Sequence, residues 1–202
     1  MNLKDTYNKI AQEWHKDHQA DDWWVDGTEK FISFLKQGNS VLDVGCGGGT
    51  KSKYLSEKGF KVMGIDFSDN LIEIAKTENH QVDFKVMDMY DVDKLEEKFD
   101  GIFAQASLLH ILRKDIALIL NKLVSRLNND GVLYVAVKGI HINGVEEEVK
   151  EENDYGYPYK RFFSYHSMNE LINYFESLGL KIVYQDIKRT GKSDWLQIVG
   201  KK

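Results

Sequence analysis

The chain is expected to fold as a doubly wound α/β domain, a mostly parallel sheet with helices on both faces, and three observations support this. From about Val41 onward, short apolar runs alternate with helical patterns. The first run leads straight into a glycine-rich turn that opens a helix. Near the C-terminus, two strand-like runs are separated by too few residues for a crossover helix.

Residues 1–38 precede the alternation. Tyr7, Ile10, Ala11 and Trp14 fall at helical spacing, and Phe31, Ile32, Phe34 and Leu35 suggest a second helix, so the segment reads as a helical cap. β-type runs follow at Val41–Val44, Phe60–Ile65, Val82–Val86, Phe99–Ala104 and Val132–Val137. They have the near-continuous apolar character of strands buried on both faces. Helical patterns at Thr50–Lys58, Ser68–Glu78 and Arg113–Leu127 lie between them, the last with Ile116, Leu120, Leu123 and Leu127 on one stripe. Ser68 is a capping residue ahead of Leu71, Ile72 and Ala75. Such alternation gives right-handed crossovers and a parallel sheet. Residues 139–160 lack periodicity and carry Glu146–Glu148 and Glu151–Glu152, which reads as a solvated surface loop of the lid type. Ser167–Leu178 is helical, with Gly179 placed to end it. The runs Leu180–Ile187 and Trp195–Val199, joined through Lys188–Asp194, form an antiparallel hairpin.

The 202 residues suffice for one domain, and 42% hydrophobic with 29% charged residues is too apolar for disorder. Cys46 is the sole cysteine, which excludes an intramolecular disulfide and argues against a cysteine-built metal or iron–sulfur site. The opening Met1–Asp5 carries no secretory or myristoylation signal and no apolar run is long enough to span a bilayer, so a cytoplasmic location without membrane partners is expected. A net charge of −5, with only Arg113, Arg126, Arg161 and Arg189 as arginines, argues against a DNA partner. A monomer or homodimer is expected.

The turn Val41–Thr50 reads V-L-D-V-G-C-G-G-G-T. Its glycines permit positive φ and close approach of a ligand, and the following helix offers free N–H groups. Asp66 ends the next strand at the spacing of a ribose-binding carboxylate. The dinucleotide fingerprint G-x-G-x-x-G fails at Thr50, and no Walker A sequence is present. Asp43 would repel a pyrophosphate but suits an ammonium, so adenosine joined to a cationic amino acid fits best.

Asp43–Thr50 closely resembles motif I of class I S-adenosylmethionine-dependent methyltransferases. The resemblance continues through Gly64–Ser68, Val86–Met89, Phe99–His110 and Asn129–Val135, in order and at the right spacing, and covers the chain from about Tyr7 onward. It implies a Rossmann-like seven-stranded sheet with the hairpin at one edge, and S-adenosyl-L-methionine as cofactor, leaving S-adenosyl-L-homocysteine. The chain, 1–202, is then one methyltransferase domain: helical cap 1–38, cofactor-binding core 39–138, lid or substrate loop 139–166, and C-terminal helix and β-hairpin 167–202. By this resemblance Gly45, Gly47 and Gly49 pass under the methionine portion, with Asp43 near its ammonium and Cys46 also among the cofactor-binding residues. Asp66 holds the ribose and Phe67 lies against the adenine. Asp88 and the Met89 N–H meet the adenine edge, while Ala104 and Gln105 line the methyl end. Asp88 also suits a strand-end turn, and Phe67 a core position.

Methyl transfer from a sulfonium needs alignment above all. His110 is the candidate base, or else fixes its loop. Tyr7 and Trp14 are candidates to close over the cofactor, or to pack the cap. Arg161, Tyr165 and His166 flank the lid as candidate substrate residues. His15 and His18, at i and i+3, lack a third metal ligand and read as solvated; no metal is expected. With one proline the D/N-P-P-[YFW] motif of DNA amino-methylating enzymes is impossible, and no Pro-Cys nucleophile exists. A small-molecule methyl acceptor is favoured, and the aromatic residues of cap and lid suit an aromatic or cationic one. A non-catalytic S-adenosylmethionine-binding protein and an NAD-dependent oxidoreductase are the competing readings.

Overall fold

The computed structural model describes residues 2–140, 144–190 and 193–202. The apolar runs become β1 (Ser40–Val44), β2 (Lys61–Asp66), β3 (Asp83–Val86), β4 (Phe99–Gln105) and β5 (Leu127–Lys138). With β8 (Lys181–Thr190) and β9 (Ser193–Lys201) they form one sheet in the order β3-β2-β1-β4-β5-β9-β8. β1 to β5 pair in parallel, whereas β9 runs antiparallel to both β5 and β8. The predicted doubly wound sheet with its edge hairpin is therefore present. The hairpin strands reach further than their apolar runs, pairing Lys188 with Trp195 and Thr190 with Ser193. Of the expected seven-residue connection only 191 and 192 lie beyond the strands, and these fall outside the described residues.

Helices α3 (Thr50–Glu57), α4 (Asp69–Glu78) and α5 (Ile116–Ser125) occupy the crossovers. Ser68 caps α4 by accepting the Leu71 N–H at 3.2 Å. The predicted helix over Arg113–Leu127 is shorter: Arg113–Asp115 forms a 3₁₀ turn and Leu127 already begins β5. Leu127 pairs with Phe99 ahead of a register shift, so its apolar side chain serves the sheet rather than the helical stripe. Ahead of β8, α6 (Met168–Ser177) starts at a capping box between Ser167 and Glu170, and Gly179 follows it at φ +74°.

The N-terminal segment divides. α1 (Leu3–His18) lies over α4, with Ile10, Ala11 and Tyr7 packed against Leu71, Ile74 and Tyr159. α2 (Val25–Ile32) instead sits directly on the sheet. A Cβ on Gly27 would come within 1.9 Å of Gln197 Oε1, and fully buried Phe31 packs on Phe103 and Tyr134. This second helix is thus a layer of the core.

The segment read as an unstructured loop contains a separate hairpin, β6 (Glu147–Glu152) with β7 (Tyr159–Ser164). Its cross-strand partners are largely charged, such as Lys150 with Arg161 and Glu151 with Lys160, so apolar alternation could not reveal it. Nor is the glutamate cluster simply solvated. Glu152 accepts two hydrogen bonds from Arg161 at 2.6 Å, Glu148 accepts from Tyr165, and Glu147 accepts the Arg113 N–H. No helix among the described residues is long and apolar enough to cross a membrane.

Candidate active site

The C-terminal ends of β1, β2, β4 and β5 open into a cleft beneath α1 and beside β7. In an open parallel sheet this edge is where ligands bind. Immediately after β1 the backbone turns through Gly45 and Gly47, both at positive φ, which suits glycine alone without strain. A Cβ on Gly45 would sit 2.4 Å from that of Ser107. Asp66 fixes this turn from β2: one carboxylate oxygen accepts the Gly47 N–H at 3.0 Å and the other the Ser68 N–H at 2.9 Å. Burial pushes Asp66 up to about 6, against those two bonds.

The cleft has two joined compartments. The smaller, about 370 Å³ with its open mouth, is walled by Gly45, Gly47, Asp66, Phe67, Met89 and Trp14. Asp88 lies outside it, exposed, accepting the Tyr90 N–H, and shares an adjoining groove with Phe67 and Met89. The larger compartment, about 1270 Å³ with open solvent, takes in Cys46, Gln105, Arg161, Lys138, Trp23 and Trp195. Tyr7, Trp14, Gly45, Ala106 and His110 border both.

Tyr7 and His110, candidates from distant parts of the chain, are hydrogen bonded at 2.7 Å. His110 Nδ1 lies 2.7 Å from the Phe162 carbonyl, which can only accept, so Nδ1 carries the proton and Nε2 accepts from the Tyr7 hydroxyl. Arg161 donates to the same hydroxyl oxygen at 3.4 Å. Burial, aided by Arg161 and Lys138, pushes His110 down to about 3, and burial raises Tyr7. Neutral His110 therefore orients Tyr7, and its Nε2 is not free for an acceptor.

Other residues stand away from the expected contact. Asp43 lines neither compartment; it is buried, accepts from Ser52 at 2.6 Å, and burial pushes it to about 6. A Cβ on Gly49 would meet Phe84, Asn79 and Ala75 near 3 Å, so this glycine lets α4 and β3 approach the turn. Ala104 is buried in the core, and Ala106, at φ +58°, is the alanine that faces the cleft. Tyr165 and His166 line neither compartment. They follow the end of β7, where Tyr165 bonds Glu148 and the His166 N–H donates to the Lys138 carbonyl. Burial and Arg113 push His166 down to about 4.

His15 and His18 are not a solvated pair. His15 is buried against Gly48 and bonds Glu78 at 3.0 Å, while His18 stacks on Trp14 at 4.5 Å. Among the described residues no group of three or more His, Cys, Asp or Glu could hold a metal. Ser107, Lys138 and the stacked pair Trp23–Trp195, 4.1 Å apart, belong to the cleft without having been singled out for it. Lys138 carried a usable signal, since it ends a parallel strand.

A family model of the methyltransferase domain matches residues 14–185. The ubiquinone biosynthesis O-methyltransferase of Coxiella burnetii is 37% identical over 110 residues, 46% of this chain and 47% of that one. The chain spans about half the length of the curated relatives it matches. Its fold is shared by 1,6-didemethyltoxoflavin-N1-methyltransferase of Burkholderia thailandensis (TM-score 0.77, 17% identity, 99% of this chain and 87% of that one). It is also shared by magnesium protoporphyrin IX methyltransferase of Synechocystis PCC 6803 (TM-score 0.76, 15% identity, 100% and 98% covered). With the family model spanning most of the chain and the glycine turn, Asp66 and the terminal hairpin in place, the chain belongs to the class I S-adenosylmethionine-dependent methyltransferases.

Proposed function

We propose that the chain transfers a methyl group from S-adenosylmethionine to a small-molecule acceptor. The observation that carries this is the joined cleft, with the glycine turn and Asp66 in one compartment, an aromatic-walled space in the other, and Tyr7 between them. The residues present fit the cofactor. Gly45 and Gly47 bring bare backbone to the space where a Cβ would meet Ser107 or Trp14, Asp66 retains lone pairs for hydroxyls, and Phe67 with Met89 offers an apolar wall for a base. Among the described residues, Ser107 Oγ and Trp14 Nε1 are buried without a partner beside the same space.

When bound, the cofactor supplies a methyl carbon already activated by its sulfonium. The chain's part is to hold the acceptor in line and keep water out. Tyr7 donates a hydrogen bond to His110 and accepts one from Arg161, which leaves one lone pair of its oxygen for the acceptor's O–H or N–H. Such positioning accounts for much of the rate in a displacement of this type. Trp14, 3.1 Å from where a Gly47 Cβ would stand, covers the turn.

S-adenosylhomocysteine at about a hundred times its dissociation constant is expected to stabilise the protein by about 2.7 kcal/mol. For a chain of 202 residues that raises the melting temperature by about 5–10 °C. A shift with NAD and none with S-adenosylhomocysteine contradicts the reading.

A further inference from the structure

The larger compartment holds a side chain with unmet hydrogen-bonding capacity. Gln105 ends β4, is 3% exposed and lines this space, yet among the described residues neither Nε2 nor Oε1 of its amide has a partner. A primary amide buried this way has been stripped of water without compensation. On the adjacent strand, Lys138 ends β5 in the same compartment. Its ammonium lies 4.5 Å from the Phe163 ring centroid and 5.6 Å from that of Trp195. Among the described residues it forms no ion pair.

The nearby carboxylates are engaged elsewhere. Glu152 is bound through both oxygens to Arg161, and Glu148 takes the Tyr165 hydroxyl and lies 3.2 Å from Lys150. Burial, with Lys150 and Arg161 close by, pushes Lys138 down to about 8. Among the described residues the lining thus contains Lys51, Lys138 and Arg161 against Asp21 alone. The Phe163 ring already carries two cations, Lys138 and Arg161, at 4.5 and 5.2 Å. This disfavours the cationic acceptor that the aromatic composition also suited. The stacked Trp23–Trp195 pair and Leu109 supply an apolar wall beside the polar end.

We propose that the methyl acceptor is an aromatic acid, whose carboxylate pairs with Lys138 and hydrogen bonds the Gln105 amide while its ring lies along Trp23 and Trp195. This rests on the methyltransferase reading and assigns Lys138 and Gln105 as its specificity residues. A carboxylate accepts from the Lys138 ammonium and from the Gln105 Nε2–H together and neutralises the cation, which no neutral or cationic ring does.

The test is calorimetric titration of protein saturated with S-adenosylhomocysteine, using three probes with one ring: 3,4-dihydroxybenzoate, catechol and dopamine. The carboxylate is expected to bind at least about tenfold more tightly than catechol, with dopamine weakest. Lys138→Met is expected to abolish that preference, Lys138→Arg to keep part of it, and Gln105→Leu to weaken the carboxylate about tenfold. Lys138→Gln replaces the methionine variant if that one does not melt cooperatively. Catechol or dopamine binding as tightly as the carboxylate overturns the proposal. So does a preference surviving in Lys138→Met, or no carboxylate binding by protein that holds S-adenosylhomocysteine. Failure to bind S-adenosylhomocysteine at all overturns the methyltransferase reading instead.

Discussion

Tyr7→Phe is expected to lower the rate of methyl transfer roughly a hundredfold while leaving S-adenosylhomocysteine affinity within about threefold. The variant removes one oxygen and keeps the ring, so the edge contacts of Tyr7 with Trp14 and Phe67, at 5.8 and 5.7 Å, survive. What disappears is the hydroxyl that donates a hydrogen bond to His110, accepts one from Arg161 and faces both compartments. Because His110 is pushed down to about 3, the wild-type rate is expected to show no inflection from it between about pH 5 and 8. Release of S-adenosylhomocysteine, with an acceptor found by screening, measures both. An unchanged turnover number in Tyr7→Phe contradicts the positioning role.

Asp66→Ala is expected to weaken S-adenosylhomocysteine binding by roughly a hundredfold or more. Charge-assisted bonds to ribose hydroxyls account for about 1.5–3 kcal/mol, a factor of about ten to a hundred. The remainder comes from the turn, because the same carboxylate accepts the Gly47 and Ser68 N–H groups, which would lose their buried partner. There is also a pH signature. Hydroxyl donors favour the ionised carboxylate, and Asp66 is held near 6 in the free protein. Wild-type affinity should therefore rise between about pH 5 and 7, and Asp66→Ala should lose part of that rise. Calorimetry on the folded variant decides it; unchanged affinity contradicts the ribose role.

The parallel sheet, the glycine turn and the terminal hairpin were readable because each leaves a local mark: continuous apolar runs, glycines without side chains, and a connection too short for a helix. Tyr7 and His110 could each be named as candidates, but not as partners, because a bond between residues 103 apart is set by how α1 crosses the cleft. Of the three candidates named beside the lid, Arg161 lines the larger compartment and Tyr165 and His166 do not. Arg161 and Phe163 share the face of β7 that looks into the larger compartment, and the strand ends at Ser164. Beyond it the chain turns to bond β5, carrying both residues away. The hairpin β6–β7 escaped notice because β6 is almost wholly charged and carries no apolar alternation. Lys138 and Gln105 show the converse: strand-end position marks them, yet their missing partners are visible only once the surroundings are folded.

The central claim is that one cleft holds the cofactor and acceptor on either side of Tyr7. A crystal structure of the protein with S-adenosylhomocysteine tests it most directly. The account predicts the ribose hydroxyls within hydrogen-bond distance of Asp66 and the base between Phe67 and Met89. It also predicts the sulfur beside Tyr7 at the junction, with the compartment lined by Gln105 and Lys138 left free. A ligand bound elsewhere, or one whose ribose lies away from Asp66 and whose sulfur points away from Tyr7, would contradict it.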